Sequence, residues 1–175
     1  MKSLNSYIKN TYVTEGLFKN IGAEVVTVKT KRELKDLVDK TIEKEGPDCD
    51  LNFIDTSRIT DMSYLFTESN FNGDISCRHV PIVEDMGSMF KDSNFNGDIS
   101  GWDVSNVKSM NGMFYDSQFN GDISGWDVFK VDDMRYMFAR SEFTGDISKW
   151  NISNMTNVSS MFYGGKFEKL DKSSK

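Results

Sequence analysis

The pair of residues best suited to nucleophilic or metal chemistry is Cys77 and His79, which lie two positions apart. An imidazole can activate a neighbouring thiol as a nucleophile, and the same two side chains are common zinc ligands. The chain has one histidine and two cysteines, however, so it offers no second His and no repeated Cys spacing. We therefore favour the alternative that this segment accommodates a neighbouring part of the fold. We expect no enzyme activity, no cofactor and no metal, because phosphate-loop and catalytic-triad signatures are also missing.

Aspartates recur at one fixed spacing along most of the chain. This aspartate column consists of Asp50, Asp74, Asp98, Asp122 and Asp146. Its carboxylates could hold Ca²⁺ between stacked units, or each could accept hydrogen bonds from backbone N–H groups in a turn. Each unit offers only one or two carboxylates, without a second Asp at a fixed short spacing, which favours the turn.

A second polar column alternates with Trp and Val and is therefore expected to face outward. It is either a solvated face or a recognition surface. The predicted partner-binding residues are Ser100, Asp103, Ser124, Asp127, Asn151 and His79. The neighbouring tryptophans, Trp102, Trp126 and Trp150, could stack on carbohydrate, but aromatic columns of this kind more often belong to a core.

These columns exist because the whole sequence repeats. F-N-G-D-I-S or a close variant begins at Phe71, Phe95, Phe119 and Phe143, and Phe167 falls at the next position of the same series. The copies follow a 24-residue period without an insertion or deletion. A fixed short period is the signature of stacked supersecondary units, each of which is covered only by its neighbours.

Each repeat contains two segments with different patterns. D-I-S-x-W-x-V is β-branched and partly alternating, whereas V-x-x-M-x-x-M-F has apolar residues at helical spacing. We therefore predict an α/β repeat: a leucine-rich-repeat-like solenoid of five 24-residue turns over residues 47–166. Each turn is expected to hold a short parallel strand and a short helix or 3₁₀ segment around files of Phe, Met and Ile.

The residues before the repeats predict an N-terminal cap over residues 22–46. Ala23 to Val28 are typical of a strand, and the next segment has Thr30 and Glu33 at capping-box spacing. Gly46 followed by Pro47 indicates the end of that helix. Residues 1–21 are interpreted as an arm and residues 167–175 as a C-terminal tail.

Charge and hydropathy restrict the partners. Residues 47–166 carry 18 acidic and 9 basic side chains, a net charge of −9, which disfavours nucleic acid and anionic membranes. No apolar run is long enough for a membrane span, and the first residues lack the apolar core of a secretory signal. We expect a cytoplasmic protein. Cys49 and Cys77 are out of register on adjacent turns, so we expect free thiols rather than a disulfide.

The recurring G-D-I-S-x-W-D-V-S-N-V-x-x-M-x-x-M-F resembles the 24- to 26-residue repeat of BspA-family leucine-rich-repeat-like surface proteins, which is also found in mycoplasma lipoproteins. The segment T-K-R-E-L-K-D-L-V-D-K-T-I-E-K-E-G-P is similar to the lead-in of such arrays. The resemblance covers about residues 30–166. It implies a solenoid used for adhesion or protein binding. The chain departs from the pattern in lacking a signal peptide, lipobox or wall anchor.

Two functions follow from the sequence. The first is a non-enzymatic repeat scaffold that binds a protein partner. The second is a phage-encoded structural, virion-associated or cargo protein. It is indicated by the segment M-K-S-L-N-S-Y-I-K-N-T-Y-V-T-E-G, which resembles an N-terminal peptide that is cleaved after Glu15.

Overall fold

Capping residues determine where the N-terminal helix begins and ends. The computed structural model describes residues 25–76, 80, 82–153 and 155–167. Helix α1 (Lys31–Glu45) begins after Thr30, whose Oγ1 accepts the N–H of Glu33 at 3.2 Å, and it ends at Gly46, which has a φ of 92°. The buried stripe of α1 is formed by Leu34, Leu37, Val38 and Thr41. The helix therefore buries one face against the repeats, as an amphipathic cap does.

Strand β1 (Val26–Thr27) precedes α1, and strand β2 (Ile54–Asp55) lies in the first repeat. The two strands pair in parallel, with Val26 opposite Ile54 and Thr27 opposite Asp55. Lys31 Nζ at the start of α1 contacts Asp61 Oδ1 at 2.9 Å. These contacts attach the cap to the first repeat. The predicted arm over residues 1–21, the proposed cleavage position at Glu15, and Cys77 and His79 lie outside the described residues.

The repeats are joined through one short recurrent segment. We number the repeats as units one to five, beginning at residues 47, 71, 95, 119 and 143, and we call residues 62–69 and their equivalents the turn segments. In unit one, alternate N–H groups donate to carbonyls of unit two: Met62 to Asp85 at 2.8 Å, Tyr64 to Gly87 at 3.0 Å, Phe66 to Met89 at 2.9 Å and Glu68 to Lys91 at 2.8 Å. The same four bonds recur at the next three junctions.

The intervening N–H groups bond within their own unit. Leu65, Thr67 and Ser69 donate to the carbonyls three residues earlier. Isolated parallel bridges precede the turn segments and connect, one unit to the next, Asp61, Asp85, Ser109, Asp133 and Asn157. These contacts join each of the five units to the next. The arrangement of the units as one leucine-rich-repeat-like solenoid remains a prediction.

The turn segment differs from the short helix that V-x-x-M-x-x-M-F predicts. Described residues 47–165 contain no helix, and the turn segments hold left-handed backbone at two equivalent positions. These positions include Ser88 at φ 54° and Asp92 at φ 54°. A helix would direct every N–H along its own axis, whereas here alternate N–H groups point to the next unit. In units three to five, the described D-I-S-x-W-x-V segments also form no strand.

The core consists of files of equivalent side chains that run through the units. Phe90 and Phe114 are each 0 % exposed, and their rings stack at 5.6 Å with an interplanar angle of 3°. Phe95 belongs to a second file of phenylalanines, which begins at Phe71. Its ring centroid lies 4.4 Å from that of Phe90. Each such ring contributes roughly 1.5 to 3 kcal/mol through burial. The buried files include Met62, Met86, Met110, Met134, Leu51, Ile75, Ile99 and Ile123.

Two apolar positions lose their burial at unit five, whereas Phe143 and Met161 of the same unit stay buried. Met155 is 85 % exposed and Val158 is 44 % exposed, although their equivalents in unit four, Val131 and Met134, are fully buried. Phe167, which the 24-residue period places in the file that begins at Phe71, stacks on Phe162 at 4.5 Å, as Phe143 stacks on Phe138. The N-terminal end is thus covered by the cap, whereas the apolar files reach the surface at unit five.

We expect Phe114→Ala to lower the free energy of unfolding by about 3 to 5 kcal/mol, because the cavity is enclosed by rings of units two and four. Chemical denaturation measures the change. Phe129→Ala is the control, because Phe129 is 55 % exposed, and such a surface change should stay within about 0.5 kcal/mol. Equal effects of the two substitutions would contradict the stacked Phe file.

We expect Gly112→Ala to destabilise the protein by about 1 to 2 kcal/mol, since Gly112 has a left-handed φ of 57°. A Cβ there would meet nothing closer than 3.4 Å, so the cost is conformational rather than steric. Gly101→Ala, at an exposed position with nothing within 4 Å and no left-handed φ, is the matched control. Thermal melts of both variants test the expectation, and a neutral Gly112→Ala would contradict it.

Candidate functional site

The aspartate column forms a series of identical turns along one corner of the repeats. In units three to five, the Oδ1 of Asp98, Asp122 and Asp146 accepts the backbone N–H two residues later at 2.9, 2.9 and 2.8 Å. Asp50 and Asp74 make the same bond at 2.7 and 2.9 Å. This geometry agrees with the turn interpretation. No group of three or more His, Cys, Asp or Glu side chains suited to a metal ion occurs in the described part of the chain.

Hydrogen bonds at this corner also lower the pKa values of several of its aspartates. The backbone N–H of Ser100 holds the pKa of Asp98 below its ordinary value, while the charges of Asp74 and Asp122 in the adjacent units oppose that shift. The backbone N–H of Ser124 lowers the pKa of Asp122 in the same way. The exposed corner is therefore a file of carboxylates, and within it the charge of Asp146 likewise opposes the lowering of the pKa of Asp122.

The tryptophans lie behind this corner rather than on the surface. Trp102, Trp126 and Trp150 are 3, 4 and 8 % exposed. Their indole Nε1–H groups donate to the carbonyls of Ile75, Ile99 and Ile123 at 3.1, 3.2 and 3.0 Å. Each indole thus connects its unit to the preceding one. A stacked carbohydrate platform is wrong for this column because its aromatic faces are covered.

The predicted partner-binding residues lie close to the tryptophans in the sequence. Asp103 and Asp127 are exposed on consecutive units, and their Oδ1 atoms accept the N–H of Ser105 at 3.1 Å and of Phe129 at 3.2 Å. Ser100 and Asn151 are also exposed, whereas Ser124 is half-buried. His79 lies outside the described residues. The structure therefore places these side chains at equivalent positions on adjacent units, with the acidic ones also fixing local turns.

Sequence reasoning missed Phe129, which is 55 % exposed beside Asp127. Its equivalents Ser57, Ser105 and Ser153 are small and polar. The change from V-S-N-V to V-F-K-V within an otherwise regular repeat was the available signal. We call Ser100, Asp103, Ser124, Asp127, Phe129 and Asn151 the outer face.

A different surface carries charges that are paired between units. Glu84 contacts Lys108 at 3.0 Å, and Asp116 contacts Arg140 at 3.0 Å, each between equivalent positions of adjacent units. Their side chains are 40 to 57 % exposed, so each pair contributes at most about 1 kcal/mol. These pairs therefore join adjacent units only weakly.

Two further expectations concern the thiols and the membrane. Cys49 is a half-buried free thiol, and burial raises its pKa, so it has little thiolate character. No helix in the described ranges has the length and apolar character that a bilayer crossing requires.

The protein should lose stability in acid. Hydrogen bonds lower the pKa of Asp74, Asp98, Asp122 and Asp146. Such groups contribute stability that is present above the unfolded value of about 3.9 and is lost as the pH falls through the lower folded values. Urea midpoints measured from pH 6 downward, roughly to pH 2.5, should therefore decrease through this window.

The variant Asp98→Asn Asp122→Asn is the control for this acid sensitivity. Its asparagine oxygens can still accept the turn hydrogen bonds but do not titrate. The acid decrease of its urea midpoint should be smaller than that of the wild type. A wild-type midpoint that stayed constant or rose in acid would contradict the assigned turns.

The comparison with known families gives one result. Residues 35–141 and 116–174 match the family described as Mycoplasma protein of unknown function, DUF285. No curated protein and no solved structure matches the chain. The two matched ranges overlap, as expected for a repeated sequence, and together they include most of α1 and all five units. The chain belongs to the DUF285 family of mycoplasma proteins.

Proposed function

We propose that the protein is a non-enzymatic repeat scaffold that binds a protein partner through the outer face. The observation that carries this proposal is the regular exposure of Ser100, Asp103, Asp127 and Asn151. The Trp and Val side chains that alternate with the aspartates are buried. The resemblance of the repeat to BspA-family surface proteins, which implies adhesion or protein binding, supports the same function.

The outer face is held rigid before any partner arrives. Asp103 lies between Trp102 and Val104, which are 3 and 1 % exposed, and Asp127 lies between Trp126 and Val128, which are 4 and 1 % exposed. The backbone of each aspartate is thereby fixed on both sides, and its carboxylate is oriented by a turn hydrogen bond. A preorganised surface loses little conformational entropy on association.

The charge of the face indicates the chemistry of the partner. Asp103 and Asp127 occupy equivalent positions on adjacent units, which are separated by about 4.8 Å if they stack as neighbouring strands do. Two like charges at such a separation favour a ligand that brings positive charge to both. We therefore infer a partner with a Lys- or Arg-rich segment.

Phe129 supplies the apolar part of the same face. Exposed aromatic side chains that are surrounded by polar residues often dominate the binding free energy of protein interfaces. Here the ring stands beside Asp127 and is followed by Lys130, whose Nζ contacts Asn106 Oδ1 at 2.7 Å. An aromatic anchor next to two carboxylates fits a basic segment that also carries an apolar residue.

We expect Asp103→Asn Asp127→Asn to reduce capture of the partner in pull-downs from the native source by about tenfold or more, the effect of roughly 1.4 kcal/mol. Asparagine retains the turn acceptor, so the melting temperature should change little. Capture by the wild type should also weaken as the salt concentration rises.

Asp92→Asn Asp116→Asn is the matched control, because it removes the same charge from carboxylates that do not belong to the outer face and lie beside Lys91 and Arg140. This variant should capture the partner as the wild type does. If both double variants bind equally, the partner does not use the outer face.

A further inference from the structure

We propose that the exposed end of unit five is a docking site for a further 24-residue unit supplied by another polypeptide. We call this end the C-terminal edge and define it by the backbone N–H groups of Val158, Ser160 and Phe162 and the side chains of Met155 and Val158. It is a different surface from the outer face, so the inference does not depend on the proposed function.

The C-terminal edge repeats an interface that the molecule already makes four times. In unit four, the equivalent N–H groups of Met134, Tyr136 and Phe138 donate to carbonyls of unit five at 2.9, 3.2 and 2.8 Å. In unit five, no carbonyl of the described residues accepts from Val158, Ser160 or Phe162. Ser160 already has a left-handed φ of 56°, close to the 57° of Tyr136. The backbone of the edge thus has the shape that it has in stacked units.

Apolar side chains are exposed at the same edge. Met155 and Val158 are 85 and 44 % exposed, whereas Val131 and Met134 at the equivalent positions of unit four are 0 % exposed. Phe162 is half-buried, whereas Phe138 is 1 % exposed. A covering unit would bury these side chains in the same files that run through units one to four.

The polarity of the edge excludes symmetric pairing with a second copy. The carbonyls of Val158, Ser160 and Phe162 accept N–H groups from within unit five, and the intervening carbonyls accept from unit four. The edge therefore offers donors and no acceptors along this segment. Two copies placed edge to edge would oppose donors with donors, and unpaired buried N–H groups are costly.

A second copy also cannot offer its opposite edge, because the carbonyl side of unit one lies under the cap. Ser63 and Leu65 of that unit are 6 and 2 % exposed, and Lys31 contacts Asp61. The occupant that fits this edge is an uncapped unit of another polypeptide, which presents carbonyls at alternate residues and apolar side chains at V-x-x-M-x-x-M-F spacing. This mode of recognition is an addition to an exposed backbone edge.

The test uses the full chain and a fluorescein-labelled synthetic peptide with the sequence of residues 95–118. In the intact protein, the carbonyls of Ser109, Asn111 and Met113 in this unit accept from unit two at 2.9, 2.8 and 2.9 Å. We expect saturable binding by fluorescence anisotropy, and a scrambled peptide of the same composition should not bind. Hydrogen exchange at Val158, Ser160 and Phe162 should slow by about tenfold or more when the peptide is bound.

Met155→Asp Val158→Asp is the diagnostic variant, because both positions are exposed and the change should leave the melting temperature nearly unaltered. It should weaken binding of the peptide by about tenfold or more, since two carboxylates would be buried on docking. Phe129→Asp, a matched change of an exposed apolar residue on the outer face, should bind the peptide as the wild type does.

Three results would overturn the proposal. The first is unchanged hydrogen exchange at the edge, or equal binding by Met155→Asp Val158→Asp. The second is slow exchange at the three amides in the free chain, which would show that the chain covers its own edge. The third is a dimer in sedimentation that Met155→Asp Val158→Asp dissociates, which would show that a second copy is the occupant.

Discussion

The structure depends on the donation of backbone N–H groups from one repeat to the carbonyls of the next. At each junction, alternate residues of the turn segment donate to the following unit, as Phe90 does to Met113 and Phe114 to Met137. Because these groups have no partner within their own unit, each repeat is incomplete alone. The buried Phe, Met and Ile files follow from this register, since equivalent side chains are brought directly over one another.

The same interaction explains why the two ends of the repeats differ. The donors of every unit point toward the C-terminal side, so unit one presents carbonyls at its outer end and unit five presents N–H groups. At the N-terminal end, β1 and α1 bury Val26, Val28, Leu34, Leu37 and Val38 with the first unit in one core. Nothing comparable covers Met155 and Val158 within the described residues. The two ends therefore differ both in the backbone groups that they present and in the covering of their apolar side chains.

The sequence predicts the period, the residues that fill the core and the position of α1, because these depend on spacing and on end residues such as Thr30 and Gly46. It does not predict the local form of the repeat. The spacing of Met86, Met89 and Phe90 is compatible with a helix, but the backbone at Ser88 and Asp92 is left-handed. Neighbouring units determine that choice by accepting alternate N–H groups, and such contacts are invisible to a pattern read within one repeat.

For the candidate site, the outward position of Asp103 and Asp127 could be predicted from alternation with buried Trp and Val. The exposure of Phe129 is signalled only by its departure from Ser105 and Ser153, because an apolar residue in a repeat is ordinarily assigned to the core. The structure is needed to place the side chain of Phe129 on the surface. Asp103 and Asp127 also accept turn hydrogen bonds, so the structural role and the proposed binding role fall on the same side chains.

The constant spacing of the turn segments has an evolutionary consequence. A duplication or deletion of one whole unit leaves every remaining junction with the same donors, acceptors and stacked rings, whereas a shift of a single residue misaligns all of them at once. Chain length in such proteins can therefore change readily in steps of one complete unit and hardly at all in smaller ones. Gain or loss of complete repeats in the gene is therefore the simplest way to change the length of the repeat array.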